Sequence, residues 1–320
     1  MHKKNFVQSL ARCLILSSTS VLLFCLGFFL PPLGIAALIF SPTPIALLGV
    51  RENKTWMTFG LLGATLTISL VFGSGFALTF LLGYGLLSYG LTLPLGKIEK
   101  GSESLLFCIV ASIISKVLFV AVNVALRGSN PFEVDLNALS NMLHNMYAGM
   151  LSKGGQEAMS LQESLDQAVA LVPYMLPFFI ILYSMFDSFI NYRLCEALQR
   201  RREIKFPPLP SFGEWRFPKS LIYVLVFAFL LPFIVEGDDW SLWTMMEYNL
   251  KFIVNILFFL QGLALVWWGL SKYAANHFFP LPLRIVLIGF LSMPFMNTWI
   301  AALGFGDLCI DFRTKKIKRA

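Results

Sequence analysis

Residues 104–126 read SLLFCIVASIISKVLFVAVNVAL, a continuous apolar run holding a single charge, Lys116. A helix of about 20 such residues crosses the roughly 30 Å hydrocarbon layer of a bilayer. The run therefore predicts a membrane-spanning helix, and the rest of the chain repeats its pattern. Apolar runs occupy 11–30, 33–49, 56–72, 76–95, 168–193, 218–235, 250–271 and 281–303. Barrel strands would be roughly ten residues long and would alternate in polarity. The expected fold is all-α: a polytopic transmembrane bundle of about nine hydrophobic helices, or eight if the last run folds back as a hairpin near Pro294.

Composition agrees. The 320 residues are 57% hydrophobic and 13% charged, whereas a soluble domain carries about a quarter charged residues. With a mean hydropathy of +0.72, the chain cannot surround a globule with polar surface, and lipid admits only helices or closed barrels. The net charge of +7 sits between apolar runs, where the positive-inside rule puts it, so no nucleic-acid partner is expected. The five cysteines are scattered and form no CxxC, which points to reduced thiols. Met1-His-Lys-Lys and Arg12 precede an apolar run that has no small-x-small cleavage site, so the run is kept as a first span rather than a signal peptide.

Breaks and charges organise the chain. Pro31-Pro32 stops the first span, and Ser41-Pro-Thr-Pro44 interrupts the second, because proline supplies no backbone donor. Gly73-Ser-Gly75 turns the third span into the fourth. Four units follow: a six-helix unit at 1–197, a basic proline-rich linker at 198–217, a three-span unit at 218–304 and a basic tail at 305–320. Within the first, 127–167 is polar, and Leu136, Leu139, Leu143, Met146 and Met150 recur at helical spacing. They predict an amphipathic helix on the outer membrane face. With the N-terminus cytoplasmic, loops 51–54, 97–100, 193–219 and 272–284 lie inside and are all basic. The acidic loops 127–167 and 236–248 then lie outside. The tail, with Arg313, Lys315, Lys316, Lys318 and Arg319, breaks this pattern if the ninth run crosses. A full crossing is still expected, since early loops dominate topology. The chain is thus a multi-pass protein of a bacterial-type cytoplasmic membrane.

Ionisable groups inside spans are costly and mark candidate sites. Lys116 sits near the centre of the fifth span, and Asp187 lies about 9 Å inside the boundary marked by Arg193. The two spans run antiparallel and side chains lean toward their own N-terminus, so Lys116 leans toward Asp187. Such a pair could be a structural clamp or a functional centre. Asn123, Asn191, Asn255, Gln261 and Asn297 could line a polar path, although Asn255, Gly262 and Gly269 at seven-residue spacing also suit close helix packing. Met142, Met146, Met150 and His144 could form a soft-metal cluster, but an interfacial helix shows the same spacing. Asp307 and Asp311 are one turn apart and lack a third ligand. No HExxH, GxSxG or P-loop is present, and Ser74 and His277 fall at opposite membrane faces. Neither an enzyme nor a bound cofactor is expected.

Short motifs carry a resemblance: Leu30-Pro-Pro-Leu-Gly34, Ser41-Pro-Thr-Pro44 leading to Val50-Arg51, the glycine-rich fourth span, Trp215-Arg-Phe-Pro218, Phe259-Leu-Gln-Gly-Leu-Ala264 after Asn255, and Gly306-Asp-Leu with Asp311-Phe-Arg313. The sequence resembles the YybS-like family of bacterial polytopic membrane proteins, a family of uncharacterised function. The N-terminal part of such proteins looks similar to the substrate-binding subunits of energy-coupling-factor vitamin transporters. This implies a six-helix bundle with both ends inside, which residues 1–200 match. Two functions follow as expectations. The first is a binding or transport component for a small, largely apolar or vitamin-like solute. The second is a scaffold whose 193–219 loop, through Arg200, Arg201, Arg202 and Lys205, holds a cytoplasmic protein or anionic lipid. The bilayer is a partner in both.

Overall fold

The computed structural model describes residues 2–30, 33–128, 135–152, 154–200, 206–234, 242–273 and 281–315, and among them it is helical without strands. The elements are α1 (His2–Phe29), α2 (Leu33–Phe40), α3 (Pro42–Arg51), α4 (Lys54–Phe72), α5 (Ser74–Leu78), a π-helical segment (Thr79–Gly85), α6 (Leu86–Thr92) and α7 (Gly101–Arg127). These are followed by α8 (Leu136–Met146), α9 (Ala148–Leu151), α10 (Gln156–Leu171), a 3-10 turn (Val172–Met175), α11 (Leu176–Gln199) and α12 (Leu221–Ile234). The chain closes with α13 (Leu242–Tyr273), α14 (Leu281–Leu291), α15 (Asn297–Ile310) and α16 (Phe312–Lys315).

Seven helical stretches among the described residues are long and apolar enough to cross a membrane. An eighth results if α14 and the segment after it, which bend by 78°, count as one, and the apolar helix over Leu221–Phe233 is shorter. Their order follows the nine apolar runs of the sequence. Large apolar side chains on these helices are exposed, Leu70, Leu126, Tyr223, Phe233 and Trp299 among them, as lipid as a solvent allows. The Pro31-Pro32 stop lies outside the described residues.

Two compact units form. The first comprises residues 1–135 with 179–209, and the second 136–178 with 210–320. The helical run from Gln156 to Gln199 thus contributes to both, and the amphipathic stretch groups with the C-terminal helices.

In the first unit, α1 packs on α2, α3 and α4, and α6 packs on α7. Phe24, Ile45, Met57, Leu61, Ile68 and Phe80 fill one core, while Leu47, Leu87, Leu91, Cys108, Tyr192 and Phe206 fill another. Gly73 joins α4 to α5 at φ 93°, where a Cβ would be strained. Residues 206–209 pack here: Phe206 is buried, and Tyr192 donates to the Pro207 carbonyl at 2.7 Å. At its polar end, Glu52 accepts from Ser9 and pairs with Arg12 at 2.6 Å. Burial would raise the Glu52 carboxyl, but those two partners outweigh it and hold the group below its ordinary range.

In the second unit, α13 packs on α15 and α12 around Leu221, Val254, Phe258, Ala301 and Leu308. The α13–α15 contact is close because it is glycine on both sides. A Cβ at Gly304 would lie 1.9 Å from the Phe258 carbonyl oxygen, and one at Gly262 would lie 2.0 Å from that of Ile300. Asn249 ties α13 to the end of α10–α11, accepting from the Phe178 N–H at 2.7 Å and donating to the Tyr174 carbonyl at 2.7 Å. α8 packs on α10, with His144 Nε2 3.8 Å from Asp166 Oδ1. Met142, Met146 and Met150 are exposed.

Candidate functional site

Lys116 is mid-helix in α7 and Asp187 mid-helix in α11. Nζ of Lys116 lies 2.6 Å from Oδ2 of Asp187, and each side chain is only 2% exposed. Taking two charges from water costs several kcal/mol each, recovered only if the geometry satisfies both. It does so here. Ser112, one turn before Lys116, receives a hydrogen bond from Nζ at 2.5 Å and donates to the carboxylate at 3.1 Å. Ser188 donates to Oδ1 at 3.4 Å, and the Tyr183 ring lies 4.7 Å below the ammonium.

This pair is embedded in a polar layer built on the broken second span. Pro42 and Pro44 have no N–H, so a regular helical ladder cannot pass through Ser41. Side chains from three other helices meet the carbonyls around the break. Asn191 donates to the Ile39 carbonyl at 2.8 Å, Ser20 to that of Ser41 at 2.6 Å, and Ser88 to that of Pro42 at 2.9 Å. Asn191 also donates to the Asp187 carbonyl at 2.8 Å and accepts from Thr43 at 2.6 Å. It therefore connects the break directly to the helix that bears the acid.

The fourth span is irregular beside the same pair. Thr79–Gly85 is π-helical, and Ser115, adjacent to Lys116, donates to the Leu82 carbonyl within it. Tyr84 on this segment approaches Tyr183 at 3.5 Å between hydroxyl oxygens. π-helical turns recur where a protein re-aims side chains at a functional site. The hydroxyls of Ser41 and Ser184 are buried and make no hydrogen bond. The first unit thus buries one ammonium, one carboxylate and hydroxyls that could receive a polar group.

The other sequence-derived candidates are spread over both units. Asn123 is buried in α7 and bonds the Phe119 carbonyl of its own helix at 2.8 Å. Asn255 and Asn297 are half-buried in the second unit. Gln261, also there, is 2% exposed and donates to Asp307 Oδ2 at 2.6 Å. Arg200 is exposed, and Arg201, Arg202 and Lys205 lie outside the described residues.

Asp307 and Asp311 each face an arginine. Asp307 Oδ2 meets Arg313 at 2.9 Å and Asp311 meets Arg216 at 3.3 Å. Sequence reasoning treated Arg313 as a tail charge, yet it is 1% exposed. It also overlooked Ser112, Ser188, Thr43 and Tyr183. A serine four residues before an intramembrane lysine was the available signal, since i and i+4 share a helix face.

The family described as "Predicted membrane protein (DUF2232)" matches residues 18–308. The "Uncharacterized protein YybS" of Bacillus subtilis (strain 168) is 23% identical over 317 residues, covering 96% of this chain and 98% of that protein. No solved structure matches.

Proposed function

Since the chain belongs to the DUF2232 family of predicted membrane proteins, we propose that it works in a bacterial cytoplasmic membrane, N-terminus inside, as a non-enzymatic binding or transport component for a small solute. The site is the Lys116–Asp187 centre of the first unit. The observation that carries this reading is a charge pair sealed at 2% exposure inside membrane-spanning helices, beside a broken helix. A pair serving stability alone gains little over apolar residues of similar size. Ionisable pairs buried inside membrane-spanning helices are features of solute and ion pathways. The break and the π-helical turn are the points where these helices can shift and admit a solute. A small solute with one polar group would match a site whose single charged centre is ringed by the Ser112, Ser188 and Asn191 side chains.

The test uses protein purified from its native membrane. Native mass spectrometry should find a small-molecule adduct on the wild type that is lost in Asp187→Asn. Hydrogen exchange should show solute-dependent protection over residues 112–116 and 184–191. Absence of any adduct, with exchange there unchanged by membrane and cell extracts, would sink this reading in favour of a non-transporting scaffold.

A further inference from the structure

The charge balance of the Lys116–Asp187 centre narrows the class of solute that it can take, and the inference rests on the reading that it takes one. One ammonium and one carboxylate leave this buried site with no net charge. The ammonium has three donors. One reaches Asp187 Oδ2 at 2.6 Å, one reaches Ser112 Oγ at 2.5 Å, and the Tyr183 ring covers the nitrogen at 4.7 Å. The other carboxylate oxygen, Oδ1, accepts from Ser112 at 3.1 Å and from Ser188 at 3.4 Å. Both charges are therefore answered inside the protein. An ionic head group would have to break this pair or leave an uncompensated charge beside it, and both are costly in a site sealed from water.

The hydrogen-bonding capacity left over is uncharged. Thr19, Thr58, Thr65, Thr67 and Thr79 of this unit turn their hydroxyls onto the carbonyl four residues back, the local refuge of a hydroxyl in a helix. Ser184 does not. It is 0% exposed within α11, and its hydroxyl has no partner. Ser184, Asp187, Ser188 and Asn191 follow at three- and four-residue spacings and share a helix face. The hydroxyl of Ser41, equally buried, has no partner either. Ser41 lies between Ile39 and Thr43, the two residues that Asn191 holds from α11. Two orphaned hydroxyls thus belong to the polar layer around the pair, one on the acid-bearing helix and one at the break. Buried polar groups without a partner are rare in native proteins, and each of these hydroxyls can both donate and accept.

We infer that the solute's polar group is an uncharged donor–acceptor, a carboxamide or a hydroxyl, held by Ser184 and Ser41 beside a Lys116–Asp187 pair that stays closed. Such a group donates to one serine and accepts from the other, and it adds no charge to a site already in balance. No proton has to enter or leave with it. The same balance excludes ions of either sign.

The test titrates purified full-length protein calorimetrically with hexanamide, hexylammonium and hexanoate, which share a chain length and differ in head group. Hexanamide should bind, with the same heat in buffers of different ionisation enthalpy, because no proton moves. Tighter binding of either ion overturns the uncharged class. So does a failure of hexanamide to displace a native adduct that the protein still carries. Ser184→Ala and Ser41→Ala should each weaken hexanamide several-fold, up to about tenfold, the worth of one uncharged hydrogen bond. Because neither hydroxyl has a partner within the protein, both variants should melt no lower than the wild type in the absence of probe. Unchanged affinity in both variants overturns the placement, and so does a lowered melting point in both, which would show the hydroxyls to be engaged within the fold. A native adduct identified by mass as an ion at neutral pH also overturns the assignment, whereas the absence of any adduct sinks the solute reading on which it rests.

Discussion

Thr43 donates its hydroxyl to the side-chain oxygen of Asn191 at 2.6 Å, and this contact fixes which way the Asn191 amide faces. With its oxygen taken, the amide nitrogen points its hydrogens at the Ile39 and Asp187 carbonyls, both at 2.8 Å. One side chain thereby satisfies the proline-broken second span and holds it to the acid-bearing helix. Asn191→Leu should leave the Thr43 hydroxyl and the Ile39 carbonyl without these partners. Each such loss costs about 1–3 kcal/mol, so a drop of roughly 2–4 kcal/mol is expected in reversible unfolding. Thr43→Val should cost less, because it removes one donor and leaves the Asn191 donors in place. Equal losses for the two variants would contradict the hub role.

The ion pair makes a sharper demand. Lys116→Leu leaves a buried carboxylate without its counter-charge and should destabilise by about 3–5 kcal/mol. Asp187→Leu strands the ammonium and should cost a similar amount. The double variant should recover much of the loss, since apolar replacement of both partners can be nearly neutral. Strictly additive losses in this cycle would mean that the two groups do not interact energetically.

The close contact between α13 and α15 gives a prediction with a built-in control. Gly304→Ala places a methyl 1.9 Å from the Phe258 carbonyl oxygen, so the helices must separate. A loss of about 1–3 kcal/mol is expected from overpacking. Gly289→Ala, in α14, meets nothing within 4 Å. It should be neutral or gain up to about 1 kcal/mol from helix propensity. Melting both proteins in one detergent tests the contrast, and matching melting points would refute it.

The sequence exposed the spans because a membrane crossing demands length, which an apolar run records directly. The Ser41 break was visible because proline lacks a donor at any tertiary context. The meeting of Lys116 and Asp187 followed from antiparallel direction and side-chain lean alone. What it would do there did not follow, because the surrounding hydroxyls depend on how each helix is rotated. Serine in a span is too ordinary to stand out, so Ser112 and Ser188 went unnoticed. The π-helical turn in Thr79–Gly85 has no sequence pattern of its own. Arg313 was read by position, as one of several tail cations, whereas its burial depends on Gly213 bringing two carbonyls within reach. The grouping of 136–178 with 210–320 rests on contacts far apart in sequence, such as Asn249 with Tyr174 and Phe178, which loop charge does not encode.

Glu52 accepts from Ser9 and Arg12, and its folded carboxyl titrates below the unfolded value, which is about 4.3 for a glutamate. A depressed folded value means that the ionised form is preferred in the native state. Its stabilising contribution is therefore complete above the unfolded value and disappears as pH falls through the lower, folded one. Glu52→Gln removes that contribution at neutral pH. The variant should melt below the wild type near pH 7, and the two curves should converge as pH falls below about 4. Arg12 is half exposed, with 53% of its side chain accessible, so solvent screening keeps the difference small and sensitive to salt. A gap between the melting curves that widens on acidification would have the wrong sign and would refute the assignment of Glu52 as an ionised anchor between α1 and the end of α3.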